Sequence, residues 1–222
     1  MREINVAKVT QAVKEAAISA DYEATEDLLA AFRRGEEEEE SAAGKEIFCQ
    51  LLENAAIASK ERIPLCQDCG LAVVFVELGQ EVHLVGGNLE EAINEGVRQG
   101  YAEGYLRKSL CHPLTRANTG DNTPAVIHTK IVPGDHLKLI VVPKGGGSEN
   151  MSRVHMLRPS DGWAGIKDRV VATVREAGAN PCPPIVVGVG IGGTFEKAAV
   201  MAKKSLPESN RRDQACEFGG IA

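Results

Sequence analysis

Long apolar runs are missing from this sequence, since none approaches the roughly 18 consecutive residues that a membrane-spanning helix needs. The first residues, Met1 to Asn5, lack the apolar core of a secretory signal peptide. An excess of basic residues is also missing, because 25 Lys and Arg stand against 31 Asp and Glu, for a formal net charge of −6. These absences predict a cytoplasmic protein that neither enters a membrane nor presents a broad basic face to nucleic acid.

Six cysteines are present, although no export signal accompanies them. In such a chain, thiols more often serve metal binding or catalysis than disulfide formation. With 222 residues, of which 43% are hydrophobic and 25% charged, the chain can bury one good core. Cys49 lies on an apolar helical face and is predicted to be a small core residue. The cysteines are Cys49, Cys66, Cys69, Cys111, Cys182 and Cys216.

The N-terminal quarter of the chain has the hydrophobic periodicity of helices. Apolar side chains recur at helical spacing over residues 4–19, 22–32 and 41–60. Gly35 is predicted to end the second of these helices. The three helices are expected to form a layer over residues 1–60. The inward-facing side chains of the third helix are predicted to be Ile47, Leu51, Leu52, Ala55 and Ile57.

Beyond residue 60, strands and helices are mixed. Asn88 is a suitable N-cap for a long helix, whose last turn would carry Arg107. Pro133-Gly134-Asp135 is predicted to close a hairpin, which would make part of the sheet antiparallel. The predicted elements are strands over 71–78, 82–85 and 185–190, a hairpin of 125–132 with 136–142, and helices over 89–110, 162–177 and 194–204.

The predicted fold class is α+β, with the N-terminal helical layer packed on antiparallel or mixed β-sheets. Cysteine and glycine loops are expected at the strand ends. Residues 1–205 are predicted to form a single domain, in which 61–205 is the part containing the sheet. Residues 206–222 are polar and aperiodic, and they are predicted to be a poorly ordered tail.

The segment from Ile63 to Gly70 places two thiols, an amide and a carboxylate in a short loop before a predicted buried strand. A proline in this loop ends the preceding helix, and Gly70 permits a turn that a side chain would hinder. Loops next to rigid elements are where ligands and catalytic groups tend to lie. The chemistry of the chain is therefore expected to centre on Cys66, Gln67 and Asp68.

The spacing of Cys66 and Cys69 allows three interpretations. A thioredoxin-like redox pair would lie at a helix N-terminus after a strand, which is the reverse of the order here. A structural zinc site would need a second close pair of ligands, and Cys111 with His112 is the nearest candidate. In the third interpretation, Cys66 is one ligand of an iron–sulfur cluster whose other ligands are distant in the sequence. Cys182, which prolines flank on both sides, is the natural second ligand.

A glycine-rich stretch, Lys144-Gly145-Gly146-Gly147-Ser148, directly follows a strongly predicted strand. Three glycines allow backbone N–H groups to crowd around an anion, and Lys144 adds positive charge. A flexible loop is the alternative interpretation of the same residues.

Five short motifs occur in order along the chain. They are Pro64-Leu65-Cys66-Gln67-Asp68-x-Gly70, Asn118-Thr119-Gly120-x-Asn122-x-Pro124-Ala125, Lys144-Gly145-Gly146-Gly147-Ser148, Cys182-Pro183-Pro184 and Ile191-Gly192-Gly193-Thr194. Together they resemble the alpha subunit, or N-terminal domain, of class I fumarate hydratases and the related L-tartrate dehydratases. The resemblance runs from about Asn54 to Lys204. Any one motif is weak, whereas five in order are specific.

The resemblance implies a four-iron four-sulfur cluster held by three cysteines, with the fourth iron open as a Lewis acid toward a 2-hydroxy dicarboxylate. Matched by motif, Cys66 and Cys182 would be cluster ligands, and Asp68 would be catalytic. The substrate contacts implied by the resemblance are Gln67 and Asp68 near the iron, Arg107 on a carboxylate, and the backbone at Gly146.

The chain departs from the family at two places. The family usually has threonine where this chain has Cys69, and Cys216 does not match the C-terminal context of the third cluster ligand. An incomplete or absent cluster is therefore one expectation for the isolated chain. The family's catalytic base lies in a beta subunit or C-terminal domain. A homo- or hetero-oligomer containing that partner is expected to act on a small dicarboxylate, and this chain alone is expected to be inert.

Two functions of other classes stay open at this point. One is a non-catalytic metal-binding or redox module built on Cys66 and Cys69. The other is a generic anion-binding domain that uses the backbone of residues 144–148. The sequence also leaves fumarate and tartrate undistinguished as substrates, because specificity depends on a few pocket contacts.

Overall fold

A computed structural model describes residues 1–208 and 215–218. It contains helices and a mixed sheet, so the predicted α+β class is confirmed. None of the helices in the described part of the chain is long and apolar enough to cross a membrane. The helices are α1 (Val6–Tyr22), α2 (Glu26–Glu38), α3 (Ala42–Glu61), α4 (Leu89–Glu103), α5 (Gly146–Asn150), α6 (Gly162–Ala177) and α7 (Phe195–Glu208). The strands are β1 (Arg2–Asn5), β2 (Leu71–Gly79), β3 (Val82–Val85), β4 (Val126–Val132), β5 (Leu137–Lys144) and β6 (Ala215–Phe218).

The chain divides into two compact units. The first comprises Met1–Lys144 with Asn210–Ala222, and the second comprises Gly145–Ser209. The division falls within residues 1–205, for which a single domain was expected, and that expectation stays a prediction. The first unit contains both sheets, whereas the second contains α5, α6, α7 and the segments that connect them.

The main sheet has the strand order β4-β2-β5-β6, and the predicted hairpin of residues 125–132 and 136–142 is wrong. Strand β2 lies between β4 and β5, parallel to the first and antiparallel to the second. Residues 72–76 of β2 are all buried, so this strand requires a neighbour on each edge and cover on both faces. The turn at Pro133-Gly134-Asp135 instead binds the end of β2, where Gly134 O accepts the N–H of Glu81 at 2.9 Å.

Helices α1 and α4 pack on one face of this sheet. Val9 and Val13 of α1 and Val97 of α4 are fully buried there, together with Val74 of β2. The two helices approach closely at Gly96, where a Cβ atom would lie 2.6 Å from the carbonyl oxygen of Thr10. An N-terminal helix therefore does cover the sheet, as the sequence predicts.

Helices α2 and α3 pack mainly on each other rather than on the sheet. None of the residues of α2, all of which the structure describes, is buried. In α3 the side chains of Ile47 and Ile57 are 52% and 44% exposed, so their predicted inward orientation is wrong. Cys49 is also exposed, against its predicted role in the core. Helical periodicity identified α3 correctly but could not indicate how little of the molecule would cover it.

Two predicted boundaries and one predicted strand differ from the structure. Gly35 lies inside α2 because it accommodates the ring of Phe48, which a Cβ atom would meet at 2.5 Å. Helix α4 ends at Glu103, and Arg107 belongs to the irregular segment that follows. Residues 185–190, which the structure describes, form no strand. Their backbone lies against α7, where a Cβ atom on Gly190 would collide with Ala198 O.

Two described elements extend into the segment that was predicted to be a tail. Helix α7 continues to Glu208, and β6 pairs antiparallel with β5, with Leu139 opposite Cys216. The poor order expected of this tail stays a prediction. The remaining tail residues, 209–214 and 219–222, lie outside the described residues.

Candidate functional site

The Cys66 loop, defined as residues 63–70, connects α3 to β2. Helix α3 ends at Arg62, which adopts the left-handed conformation with φ 57°. The N–H of Leu65 donates to the carbonyl oxygen of Asp21 at the end of α1, at 2.8 Å. The side-chain amide of Asn54 donates to Leu65 O at 2.8 Å. A backbone contact from α1 and a side-chain contact from α3 therefore hold the loop immediately before Cys66.

Cys66 presents an exposed, free thiol. Its Sγ atom accepts the backbone N–H of Asp68 at 3.5 Å and donates to Oε1 of Gln67 at 3.3 Å. A backbone N–H directed at sulfur stabilises the negative charge of a thiolate. Cys66 thus combines access with a local donor, as a metal-binding thiolate requires.

Cys69 has the opposite environment, since it is 2% exposed. Burial raises the pKa of its thiol, even though the backbone N–H of Arg107 donates to Sγ at 3.2 Å. A buried thiol with a raised pKa is a poor metal ligand and a poor nucleophile. The two cysteines therefore differ in exposure, which is unfavourable for a site that would use them as an equivalent pair.

Asp68 is half-buried and fixed by donors from two segments. Its Oδ1 atom accepts the N–H of Gly70 at 3.1 Å and the hydroxyl of Ser109 at 3.0 Å. Gly70 has φ +65°, and a Cβ atom there would lie 2.6 Å from the backbone nitrogen of Lys144. Glycine is therefore required where the Cys66 loop meets the end of β5.

Asn122 is the central polar residue beneath this loop, and it is fully buried. Its Oδ1 atom accepts the backbone N–H groups of Ser109 at 2.8 Å and Leu110 at 2.9 Å, and its amide donates to Gly70 O at 3.2 Å. Tyr101 of α4 adds a hydrogen bond from its hydroxyl to Cys69 O at 2.7 Å. The motif containing Asn122 thus ties the segment after α4 to the Cys66 loop.

Arg107 reaches this site through the same segment. Its backbone N–H is bonded to Cys69, whereas its side chain is exposed and forms no ion pair with any described residue. A guanidinium group in this state can bind a carboxylate through two parallel hydrogen bonds. The sequence analysis placed Arg107 in the last turn of a helix, whereas it lies in the irregular segment after α4; its expected contact with a carboxylate stays a prediction.

Asp21 is a site residue that the sequence analysis missed. It lies in the last turn of α1 and is 8% exposed, and its Oδ2 atom has no hydrogen-bond partner in the described part of the chain. Burial first, and the charge of Asp68 second, raise its pKa to about 7. A signal was available, because Asp21 continues the four-residue spacing of the buried residues Val9, Val13 and Ala17. No comparable signal points to Ser109.

The second unit contains the remaining predicted site residues. Cys182 is exposed and free, has φ 59°, and donates its N–H to Ala179 O at 3.1 Å. Gly147 lies close to the same turn, where a Cβ atom would be 2.9 Å from Asn180 O. Gly146 begins the five-residue helix α5 instead of lying in an open loop. Gly147 and the Cys182 turn are therefore neighbours within this unit.

The predicted site residues are thus grouped in two places. Cys66, Gln67, Asp68 and Arg107 lie together in the first unit, and Gly146 and Cys182 lie in the second. Among the residues that the structure describes, no group of three or more His, Cys, Asp or Glu side chains is placed to hold a metal ion. The convergence of Cys66 and Cys182 on one cluster stays a prediction.

Comparison with known proteins extends over nearly the whole chain. Residues 10–217 match the family model described as "Fumarate hydratase (Fumerase)". The protein named "Putative L(+)-tartrate dehydratase subunit alpha" from Methanocaldococcus jannaschii is 40% identical over 205 residues, which cover 90% of this chain and 72% of the relative. The L(+)-tartrate dehydratase subunits alpha of Escherichia coli strains UTI89 and K12 are each 29% identical over 90% of this chain and 67% of their own length. The chain therefore belongs to the fumarate hydratase family.

Proposed function

We propose that this chain is the alpha subunit of an iron–sulfur hydro-lyase, which either hydrates fumarate reversibly to (S)-malate or dehydrates L-tartrate. Membership of the family supports the hydro-lyase role. The observation that carries the proposal is the grouping of Asp68 and the Arg107 segment around the loop that exposes the Cys66 thiol. An exposed guanidinium group that forms no ion pair within the described part of the chain, in a segment that contacts the Cys66 loop, suits the binding of a carboxylate.

The cofactor of this proposal is a four-iron four-sulfur cluster, and Cys66 and Cys182 would hold it. Both side chains fit as metal ligands, because both are exposed free thiols. A local hydrogen bond holds each of them, from Asp68 N–H to Cys66 Sγ and from Cys182 N–H to Ala179 O. When bound, the cluster would supply a Lewis-acidic iron that makes hydroxide a better leaving group. The third ligand is not identified among the described residues.

The side chains of the first unit would bind and orient the diacid. The Arg107 guanidinium would hold one carboxylate in a bidentate contact, which restricts rotation of the substrate. The amide of Gln67 would donate to a second oxygen of the substrate. Asp68, already fixed by Gly70 N–H and the Ser109 hydroxyl, would accept a hydrogen bond from the substrate hydroxyl and so fix its orientation.

A beta subunit is expected to complete the enzyme. The relatives are named as alpha subunits, which implies a partner in those enzymes. In this proposal the partner carries the catalytic base, so the isolated chain is inert or nearly so. Measurable fumarate hydration or tartrate dehydration by the purified chain alone would contradict this part of the proposal.

Anaerobic reconstitution with iron and sulfide tests the proposed cofactor. The chain, purified with its partner, is expected to gain the broad visible absorbance of an iron–sulfur cluster and to lose it in air. Cys66→Ala and Cys182→Ala should each prevent this gain. Cys49→Ala is the matched control, because Cys49 is an exposed free thiol on α3. Unchanged iron content in Cys182→Ala would overturn the assignment of that ligand.

The same experiment separates the two other functions. Stoichiometric zinc without iron uptake would favour a metal-binding module on Cys66 and Cys69, although the buried Cys69 thiol argues against it. Protection by phosphate or a diacid against heating, with neither metal bound, would favour the generic anion-binding domain.

A further inference from the structure

The strongest unused group near the candidate site is the side chain of Asp21. Asp21 is 8% exposed, and its buried Oδ2 atom has no hydrogen-bond partner among the described residues. The backbone of the same residue binds the Cys66 loop, because Asp21 O accepts Leu65 N–H at 2.8 Å. A buried polar atom without a partner destabilises the fold, so its presence at this loop requires an explanation.

The surroundings of Asp21 disfavour a negative charge. Its electrostatic neighbours are Asp68 and Cys69 of the loop, Tyr22 of α1 and Tyr101 of α4. None of these side chains is a cation. Arg62, the nearby cation that contacts Tyr22, instead forms an ion pair with Glu23 at 2.9 Å. The carboxyl group also lies at the C-terminus of α1, where the helix dipole opposes negative charge.

The two carboxyl groups at the loop therefore have different environments. Asp68 accepts hydrogen bonds from Gly70 N–H and the Ser109 hydroxyl, which stabilise its ionised form. Asp21 is more deeply buried, and its Oδ2 atom receives no such donor in the described structure. The environment of Asp21 therefore favours its protonated form.

We propose that Asp21 is a positioning residue of the candidate site, a second carboxyl group that is protonated when a diacid binds and that weakens this binding once it ionises. The inference rests on the proposed function, because it takes the ligand to be a dicarboxylate. A protonated Asp21 adds no charge beside the Cys66 loop. An ionised Asp21 would add a buried negative charge close to a dianionic ligand. The raised pKa of about 7 places the change near neutral pH.

The protonation state can be measured on the isolated chain, without cofactor or activity. Carboxyl carbons of labelled aspartate are followed by NMR between pH 4 and 9, and Asp21 is assigned through its backbone. Its resonance is expected to titrate with a midpoint near 7 and to be missing from Asp21→Asn. Asp27→Asn is the matched control, because Asp27 is exposed in the first turn of α2. A wild-type midpoint below pH 5 would overturn the inference.

The effect on the ligand is measured on the enzyme assembled with its partner. The KM for the diacid is expected to rise roughly tenfold as the pH increases through 7. This is the effect of repulsion between an ionised Asp21 and a ligand charge about 10 Å away, at an effective dielectric constant of about 20. The kcat should change much less, and Asp27→Asn should behave like wild type. In Asp21→Asn the low KM should persist at high pH. A KM that rises with pH equally in wild type and in Asp21→Asn would refute the role of Asp21.

The two experiments separate the inference from the proposed function. If the assembled wild-type enzyme acts on neither fumarate nor tartrate, the proposed function fails, and with it the assignment of the ligand. The NMR titration still decides whether Asp21 carries a proton at neutral pH. If activity is present but Asp21 titrates as an ordinary carboxyl, only the inference about Asp21 fails.

Discussion

Replacement of Asp21 by asparagine should make the fold more stable at neutral and alkaline pH. The pKa of Asp21 is about 7 in the folded chain, against an ordinary value of 3.8. As the pH rises from about 4, the unfolded chain loses this proton first, whereas the folded chain keeps it until about pH 7. The stability contributed by the protonated group is therefore complete below pH 4, declines up to pH 7, and is absent above it. A difference of about three pKa units corresponds to roughly 4 kcal/mol as an upper limit.

Urea unfolding at pH 5, 6, 7 and 8 measures this effect in the isolated chain. Asparagine has nearly the same shape but does not titrate, so Asp21→Asn should lack the decline seen in wild type. At pH 8 the variant should gain about 2–4 kcal/mol, which shifts the unfolding midpoint by roughly 1 M urea. Asp27→Asn should leave the wild-type pH dependence unchanged. A variant that is no more stable than wild type at pH 8, with the same pH dependence, would refute the assigned protonation state.

Three further predictions follow from the site geometry. Asn122→Ala removes one acceptor and one donor group from a fully buried position, so the free energy of unfolding in urea should fall by about 2–4 kcal/mol. A fall of less than about 0.5 kcal/mol, the usual range for surface changes, would contradict its central role. Iodoacetamide should modify Cys66 in the folded chain and Cys69 only after unfolding, as measured by peptide mass spectrometry. Modification of Cys69 before Cys66 would contradict the difference in their exposure. Arg107→Ala should raise the KM for the diacid in the assembled enzyme without changing the unfolding midpoint, because the structure uses only its backbone. A lower unfolding midpoint in Arg107→Ala would show that the side chain is structural.

Local features of the fold were predictable because they depend on neighbouring residues. Helix α6 ends at Gly178 as expected, and Asn88 caps α4 by accepting the N–H groups of Glu90 and Glu91 at 2.8 and 3.1 Å. Strands β2 and β3 were also predicted nearly to the residue. Each of these elements carries its own periodicity, cap or stop signal within a few residues.

The candidate site was predictable in its residue types but not in its contacts. Cys66, Gln67 and Asp68 are adjacent in the sequence, so a single loop had to present them. Ser109, whose hydroxyl donates to Asp68, lies 41 positions after it in the sequence. Asp21, whose pKa the charge of Asp68 raises, lies 47 positions before it. No spacing rule connects such residues, because the packing of α1 and of the segment after α4 brings them together.

By itself, the sequence determined the mixed helix and strand content, the Cys66 loop with Gly70 at its end, and the family of the chain. Only the tertiary structure decided that β2 would separate β4 from β5, since the turn at Pro133-Gly134-Asp135 is compatible with either pairing. It also decided that Cys69 would be buried while Cys66 stayed exposed. The physical reason is the same in both cases. Burial depends on which distant segments cover a residue, and turn or helix propensities contain no information about that cover.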